Sequence, residues 1–205
     1  DDPFTAVFRY NTDPAVQQEI AIQATLAAQN DHIGYSSKRK GKDSANENNY
    51  RETFLEEAKK VNYDISQITT DCAADCSSST ATILIIVGNK LNIESFKNLG
   101  LFNTGNEESE LLRIGFEKLD ESKYITQSDY LSPGDILLSA GHSEIFVGGV
   151  ASGASAPVDD VVVDLDTQEF LFSGNPKKMA VLGYKKTGFW TFSGFADFID
   201  YLIGT

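Results

Sequence analysis

Two cysteines, Cys72 and Cys76, lie in the segment TTDCAADCSSSTATILIIVG (residues 69–88), shortly before an apolar run. They are the only cysteines of the chain, and His32 and His142 are its only histidines. A structural zinc site needs paired ligand spacing, which one Cys-x3-Cys with distant histidines lacks, so no metal site is expected. A disulfide between the two cysteines is possible if the segment is not helical, although it would close a very small loop and stabilise little.

The remaining chemistry is nucleophilic catalysis by one cysteine, which needs a base. His142 stands at the head of a strand-like run after a Pro-Gly-Asp turn, where a rigid strand suits a general base. Cys76 is better placed than Cys72, because unpaired N–H groups at the start of a helix favour a thiolate and an oxyanion. A cysteine before an apolar helix is otherwise commonly buried and inert, and a lone strand histidine commonly structural. Spacing alone leaves these readings open.

Helical patterns dominate the first half of the chain. Residues 13–29 predict a helix, with an aspartate N-cap, a proline at the first helical position and regular apolar positions. Residues 30–50 are polar and predict a long loop, and residues 50–61 predict a short charged helix. The run from Cys76 to about residue 87 predicts an apolar helix, although its β-branched residues would also fit a buried strand. Residues 91–129 indicate mixed helix and loop.

Strand patterns dominate the second half. From residue 130 the chain alternates short apolar runs with Pro-Gly and Gly turns. The strand pattern continues in DDVVVDLD (159–166), QEFLFSG (168–174) and MAVLGYKK (179–186), and the tail FADFIDYLI (195–203) predicts a closing helix. Helices followed by an antiparallel meander indicate an α+β fold, with helices packed on one side of a small sheet.

The charge restricts the partners. A net charge of −13 argues against nucleic acid and against an anionic membrane surface, and no apolar run is long enough to span a bilayer. One basic cluster, SSKRKGK (36–42), predicts a solvated loop, with a contact to an anionic group as the alternative. The start at DDPF without methionine indicates a trimmed or excised piece.

Four motifs in order add specificity to the Cys76–His142 pair. The chain resembles the NlpC/P60-type cysteine peptidases of the papain-like group, especially bacteriophage cell-wall hydrolases of endolysins and tail proteins. The resemblance rests on NDHIGYSS (30–37), DCSSS (75–79), YLSPGDILLS (130–139) and HSEIFVGG (142–149). It covers roughly residues 15–185, which implies one domain over residues 1–205 with that core and a C-terminal extension, 186–205.

The resemblance implies a role for each matching residue. Cys76 would be the nucleophile, His142 its base, and Tyr35 a tyrosine lining the substrate cleft, with a loop tyrosine packed on the core as the alternative. Asp75 would fix the helix start beside the cleft, and Ser77 would lie near the oxyanion.

The third catalytic position is open. The family usually carries a polar residue on the strand after the histidine strand, which orients the imidazole. Here that stretch is VASGASAPVDD (150–160), which points to Ser155; the aspartates at 159 and 160 and a backbone carbonyl are alternatives. Glu144 alternates to the same strand face as His142, so a contact in the cleft is conceivable, but a surface carboxylate is expected.

The function implied is a papain-like hydrolase that cuts peptidoglycan without a metal or organic cofactor. The scissile bond would lie in the stem peptide, often after D-glutamate or D-isoglutamine, or would be the muramoyl–L-alanine amide or a cross-bridge. Peptidoglycan would be the partner, and the negative charge favours a piece of a virion or tail assembly over a free lysin. The alternatives are a catalytically silent module of a phage tail and a protein-directed cysteine amidase acting as a toxin or effector.

Overall fold

A computed structural model describes residues 4–44, 48–148, 182–185 and 188–191 of the chain. Together they confirm the α+β fold class. The strands are β1 (Ala6–Arg9), β2 (Ile33–Tyr35), β3 (Cys72–Ala74), β4 (Glu117–Leu119), β5 (Ile136–Ser139), β6 (His142–Ile145), β7 (Leu182–Lys185) and β8 (Gly188–Thr191). The helices are α1 (Pro14–Gln29), α2 (Thr53–Lys60), α3 (Cys76–Leu91), α4 (Glu94–Lys97), α5 (Thr104–Arg113) and α6 (Ser122–Thr126).

The main sheet has four antiparallel strands in the order β4-β1-β5-β6. Its second strand, β1, precedes every helix, so the expectation that helices come first is wrong in this detail. A four-residue strand shows too little alternation to be recognised in a sequence. The β5–β6 register places Ser139 opposite His142, at the end of the sheet where the two strands turn.

Two further strand pairs complete the described structure. The parallel pair β2–β3 aligns Ile33 with Cys72 and Tyr35 with Ala74. Strand β2 lies inside residues 30–50, which were predicted to be loop, so that prediction is wrong for these three residues. The antiparallel pair β7–β8 confirms a strand within residues 179–186. The strands predicted at 159–166 and 168–174 and the helix predicted at 195–203 lie outside the described residues.

The helices that flank the site begin where their caps predict. The Asp13 side chain accepts a hydrogen bond from the Ala15 N–H at 2.9 Å, and Pro14 is the first residue of α1. Helix α3 begins at Cys76 and ends before Asn92, whose φ of 58° is left-handed. The run from 76 to 87 is therefore helix and not strand. None of the helices in the described residues has the length and apolar character needed to cross a membrane.

Apolar side chains lie on both faces of the sheet. One face joins the main core beneath α1 and α3, where Phe8 and Ile136 are fully buried. The other face carries a smaller cluster built on Val7 and Leu137. Each such side chain contributes about 1.5–3 kcal/mol by burial. Helix α3 is buried along most of its length, so its first residue is held in a fixed position.

The turn before β5 is fixed by a buried carboxylate. Asp135 accepts hydrogen bonds from Arg9 Nη2 at 2.6 Å, Gln17 Nε2 at 2.7 Å and the Ser132 N–H at 2.7 Å. The group that accepts them is fully buried, which fits the architectural role expected of the SPGD turn. Gly134 has a φ of +90° and leaves no room for a Cβ, which would lie 2.1 Å from the Gln17 carbonyl oxygen.

Candidate active site

Cys76 is the first residue of α3 and carries a free, partly exposed thiol. The N–H groups of the first helical residues have no acceptor within the helix, so those of Cys76 and Ser77 are directed toward the space in front of α3. The helix dipole adds a partial positive charge at the same place. Both features stabilise negative charge on the sulfur or on a carbonyl oxygen beside it.

Asp75 holds this helix start from inside the protein. Its carboxylate accepts from the Ser78 N–H at 2.7 Å and the Ser77 hydroxyl at 3.2 Å, and it pairs with Arg51 Nη1 at 3.1 Å. Arg51 also donates to the Phe102 carbonyl oxygen. The Asp75 carboxylate and the Ser77 hydroxyl are thus engaged in the cap, and contact of either with a substrate stays a prediction. The buried Arg51 was not identified from sequence, because one arginine in a polar segment carries no signal.

His142, the first residue of β6, lies between two acidic partners. Strand β6 packs against α3, and the side chains of Cys76 and Glu144 are both close enough to the imidazole to raise its pKa. Nε2 of the ring is 2.6 Å from Oε1 of Glu144. Since Nε2 is occupied, Nδ1 is the ring nitrogen left for the thiol. The structure therefore brings together the two residues that the sequence predicts as nucleophile and base.

The surroundings of His142 favour its protonated form. Burial lowers the pKa of the ring, but the hydrogen bonds and charges of Cys76 and Glu144 outweigh it and raise the pKa to about 10. Burial raises the pKa of Glu144 to about 7, against the opposing effect of its hydrogen bond with His142. An imidazolium between two acidic partners stabilises a thiolate on Cys76.

Glu144 is not the surface carboxylate that the sequence analysis expected. Only 4% of the residue is exposed, because it lies between His142 and the interior. Its Oε2 atom has no hydrogen-bond partner among the described residues. The i, i+2 spacing on one strand carried the signal of a shared face, but burial of this strand end is a tertiary feature that the pattern does not contain. Ser155, the residue predicted for the third position, lies outside the described residues.

Tyr35 ends strand β2 at the rim of the cleft that contains Cys76. The tyrosine is 48% exposed, so it is not packed into the core as the alternative reading required. Partial burial raises the pKa of its phenol, and the charges of Cys76 and Asp75 act in the same direction. Its ring is therefore available to a ligand that reaches the thiol.

A second buried carboxylate supports the site from behind. Glu107, in α5, is fully buried and accepts a hydrogen bond from Ser143. Ser143 Oγ is 3.1 Å from Thr80 Oγ1, which donates to the Cys76 carbonyl oxygen at 3.1 Å. Burial raises the pKa of Glu107 to about 8, although the Ser143 hydrogen bond opposes this. These residues connect α5, β6 and α3, and their wide separation in sequence hid them.

The other cysteine and histidine lie apart from this site. Cys72 is a buried free thiol whose pKa is raised to about 12, by burial first and then by the charge of Glu57. No disulfide joins it to Cys76. His32 pairs with Asp71 at the surface, with Nδ1 and Oδ1 separated by 2.8 Å. Within the described residues, no group of three or more His, Cys, Asp or Glu side chains is arranged to hold a metal ion.

Comparison with known proteins gives one family. The sequence model of the endolysin-like domain family matches residues 1–152. The matched region contains Tyr35, the whole of α3 with Cys76, and the whole of β6 with His142 and Glu144. No curated protein and no solved structure matches the chain.

Proposed function

The chain belongs to the endolysin-like domain family, and from this membership we propose that it is a phage-derived hydrolase of the bacterial cell wall. The bond cut is a peptide or amide bond of the peptidoglycan stem peptide. The observation that carries the proposal is the series Cys76–His142–Glu144 at the start of α3, with its carboxylate end buried. It supports an NlpC/P60-like, papain-like Cys–His mechanism, which the family description by itself leaves open.

In the first half of the reaction, the Cys76 thiolate attacks the carbonyl carbon of the scissile bond. The electron pair of the C=O bond moves to oxygen, and the N–H groups of Cys76 and Ser77 stabilise the oxyanion. As the tetrahedral intermediate collapses, the C–N bond breaks and the His142 imidazolium donates its proton to the leaving amine. The product is a thioester between Cys76 and the acyl part of the wall peptide.

In the second half, water hydrolyses the thioester. His142, now neutral, removes a proton from the water as it attacks, and the C–S bond then breaks to return the thiolate. The imidazolium forms again beside it, so the pair is ready for another substrate. Glu144 acts on neither substrate nor water in this scheme; it holds Nε2 of His142 and favours the protonated ring.

Glu144 also weakens the case for a catalytically silent tail module. That alternative arose because the sequence offered only a weak third residue at Ser155. A buried carboxylate hydrogen-bonded to His142 supplies the missing orientation, so Ser155 becomes an accessory at most under this proposal. We further propose that residues 1–205 act as one domain at the cell wall, as a lysin or as part of a virion or tail, with peptidoglycan as the partner.

The test is a digest of purified peptidoglycan from several Gram-positive walls by the wild type and by Cys76→Ala. Released fragments are analysed by mass spectrometry. We expect new fragments from the wild type alone, and their new termini identify the bond that is cut. Fragments from both proteins would place the chemistry elsewhere in the chain. Fragments from neither would favour the silent module or an amidase that acts on protein.

A further inference from the structure

Most basic side chains in residues 4–44 and 48–148 of this acidic protein are neutralised. In residues 4–44 and 48–148, every lysine and arginine forms an ion pair with a carboxylate except Lys38, Arg39, Lys42 and Lys59. Three of these four exceptions fall within five residues of one loop, in a chain whose net charge is −13. Their side chains are exposed. Carboxylates greatly outnumber basic groups in this chain, so a shortage of carboxylates does not explain why these cations are unpaired.

This basic loop, residues 36–44, is attached directly to the active site. It begins after Tyr35, whose ring lines the cleft, and the Ser36 N–H donates to the Ala74 carbonyl oxygen at 2.9 Å. The Lys38 carbonyl oxygen accepts from the Arg51 N–H at 2.8 Å. The Arg51 guanidinium in turn pairs with Asp75, next to the nucleophile. Two sets of hydrogen bonds thus hold the base of the loop against the residues that position Cys76.

Among the described residues, the carboxylates that contact this loop do not pair with the side chains of its three unpaired cations. Asp43 Oδ2 accepts from the backbone N–H of Arg39, and Glu52 accepts from the backbone N–H of Lys40. Glu56 pairs with the side chain of Lys40. Lys38, Arg39 and Lys42 therefore carry exposed positive charge on a loop that begins directly after the cleft residue Tyr35, and such charge attracts an anionic group on a ligand.

We propose that the basic loop is a subsite for a free carboxylate of the wall peptide, next to the bond that is cut. This inference rests on the proposed function, and it specifies the substrate within it. A stem peptide whose D-glutamate keeps its α-carboxylate carries the negative charge that the loop would bind, whereas D-isoglutamine carries a neutral amide there. The enzyme should therefore prefer the acid form.

The experiment compares two soluble muropeptides that differ only in this carboxylate or amide. For the wild type we expect a kcat/KM about three- to tenfold higher on the acid form, mainly through KM, since exposed ion pairs are individually weak. In the variant Lys38→Gln/Arg39→Gln/Lys42→Gln the preference disappears while kcat on the amide form is kept. The matched control Lys59→Gln/Lys60→Gln/Lys97→Gln has the same net charge and keeps the preference.

Equal rates of the wild type on both substrates would contradict the proposed carboxylate subsite without contradicting the proposed hydrolase function. Loss of the preference in the control variant as well would assign it to overall charge and also overturn the subsite. If the loop variant instead loses binding to phosphate-rich wall polymers and keeps the muropeptide preference, the loop serves phosphate and the proposal is wrong.

Calorimetric binding of both muropeptides to Cys76→Ala makes the test independent of turnover. Tighter binding of the acid form that depends on the basic loop would support the subsite even if no bond is cut. Equal binding would overturn it whatever the outcome of the wall digest.

Discussion

Glu144 Oε1 lies 2.6 Å from His142 Nε2, two residues along the same strand. The i, i+2 spacing places both side chains on one face, so a single rigid element carries the base and the group that orients it. This differs from the arrangement that the family resemblance implies, in which the orienting residue comes from the following strand. Register of β6 against β5 therefore fixes both groups at once.

Replacing Glu144 separates its charge from its hydrogen bond. We expect Glu144→Ala to lower kcat on muropeptides by on the order of a hundredfold, because the imidazole loses its fixed orientation. Glu144→Gln keeps an oxygen that accepts from Nε2, so it should retain much more activity. The readouts are kcat and KM separately, together with the pH profile of kcat/KM.

If the role of Glu144 is only structural, the two variants should show different kinetics from those expected above. Both variants would then lose activity in proportion to the unfolded fraction, with KM and the pH profile unchanged and no advantage of glutamine over alanine. Urea unfolding of each variant measures that fraction. A positioning role requires the glutamine rescue in a protein of near wild-type stability.

The raised pKa of His142 predicts an unusual pH dependence of thiol labelling. With the ring protonated up to about pH 10, His142 keeps a positive charge beside the Cys76 sulfur throughout the neutral range. We expect iodoacetamide to label Cys76 at pH 6.5 about ten- to a hundredfold faster than a small free thiol, which is only about 1% ionised there. In His142→Ala the rate should fall to that of the small thiol. A Cys72→Ala background removes the second cysteine, and identical labelling with and without His142 would contradict the pairing.

Much of the architecture around the site was predictable from local chemistry. Aspartate caps with proline or serine beside them identified the starts of α1 and α3, and the Gly-Asp turn identified β5 and β6. The strand β1 was not predictable, because four residues in the middle of a sheet are specified by their partners and not by their own pattern. The same holds for β2, where Ile33 and Tyr35 pair in parallel with a distant segment.

The residues of the site show the same distinction between local sequence signals and tertiary packing. Cys76 and His142 were predictable because their motifs are local and ordered along the chain. The burial of Glu144 and the links of Arg51 to Asp75 and of Glu107 to Ser143 depend on packing between elements far apart in sequence. No pattern in the printed sequence marks these residues as buried, since charged side chains are ordinarily exposed.

Glu107 should make the stability of the fold fall as the pH rises. Its pKa is raised in the folded protein to about 8, so its contribution is complete below the unfolded value near 4.5 and is lost as the pH passes 8. Across this window the cost is at most roughly 1.4 kcal/mol per pH unit. Glu107→Gln keeps an oxygen for the Ser143 hydroxyl and cannot ionise. The free energy of unfolding in urea, measured from pH 5 to 9, should therefore decline less steeply in the variant.

The neighbouring residue offers a control for that measurement. Glu108 is half-buried and pairs with Lys118, so Glu108→Gln should leave the pH dependence as in the wild type. The groups whose charges act on Glu107, Asp75 and His142, are present in all three proteins and contribute equally. Parallel curves for Glu107→Gln and the wild type would show that Glu107 does not carry a buried proton.

Gly134 and Gly141 allow the contact between α1 and the turn before β5 to be measured. Both have left-handed backbones, with φ of +90° and +86°, but a Cβ at 134 would lie 2.1 Å from the Gln17 carbonyl oxygen while one at 141 meets nothing within 4 Å. Gly141→Ala should thus cost only the strain of the backbone, about 1 kcal/mol. Gly134→Ala adds a clash with helix backbone that no side-chain rotation relieves, so we expect a loss of about 3 kcal/mol or more in urea unfolding. Equal losses in the two variants would mean that α1 does not press against this turn.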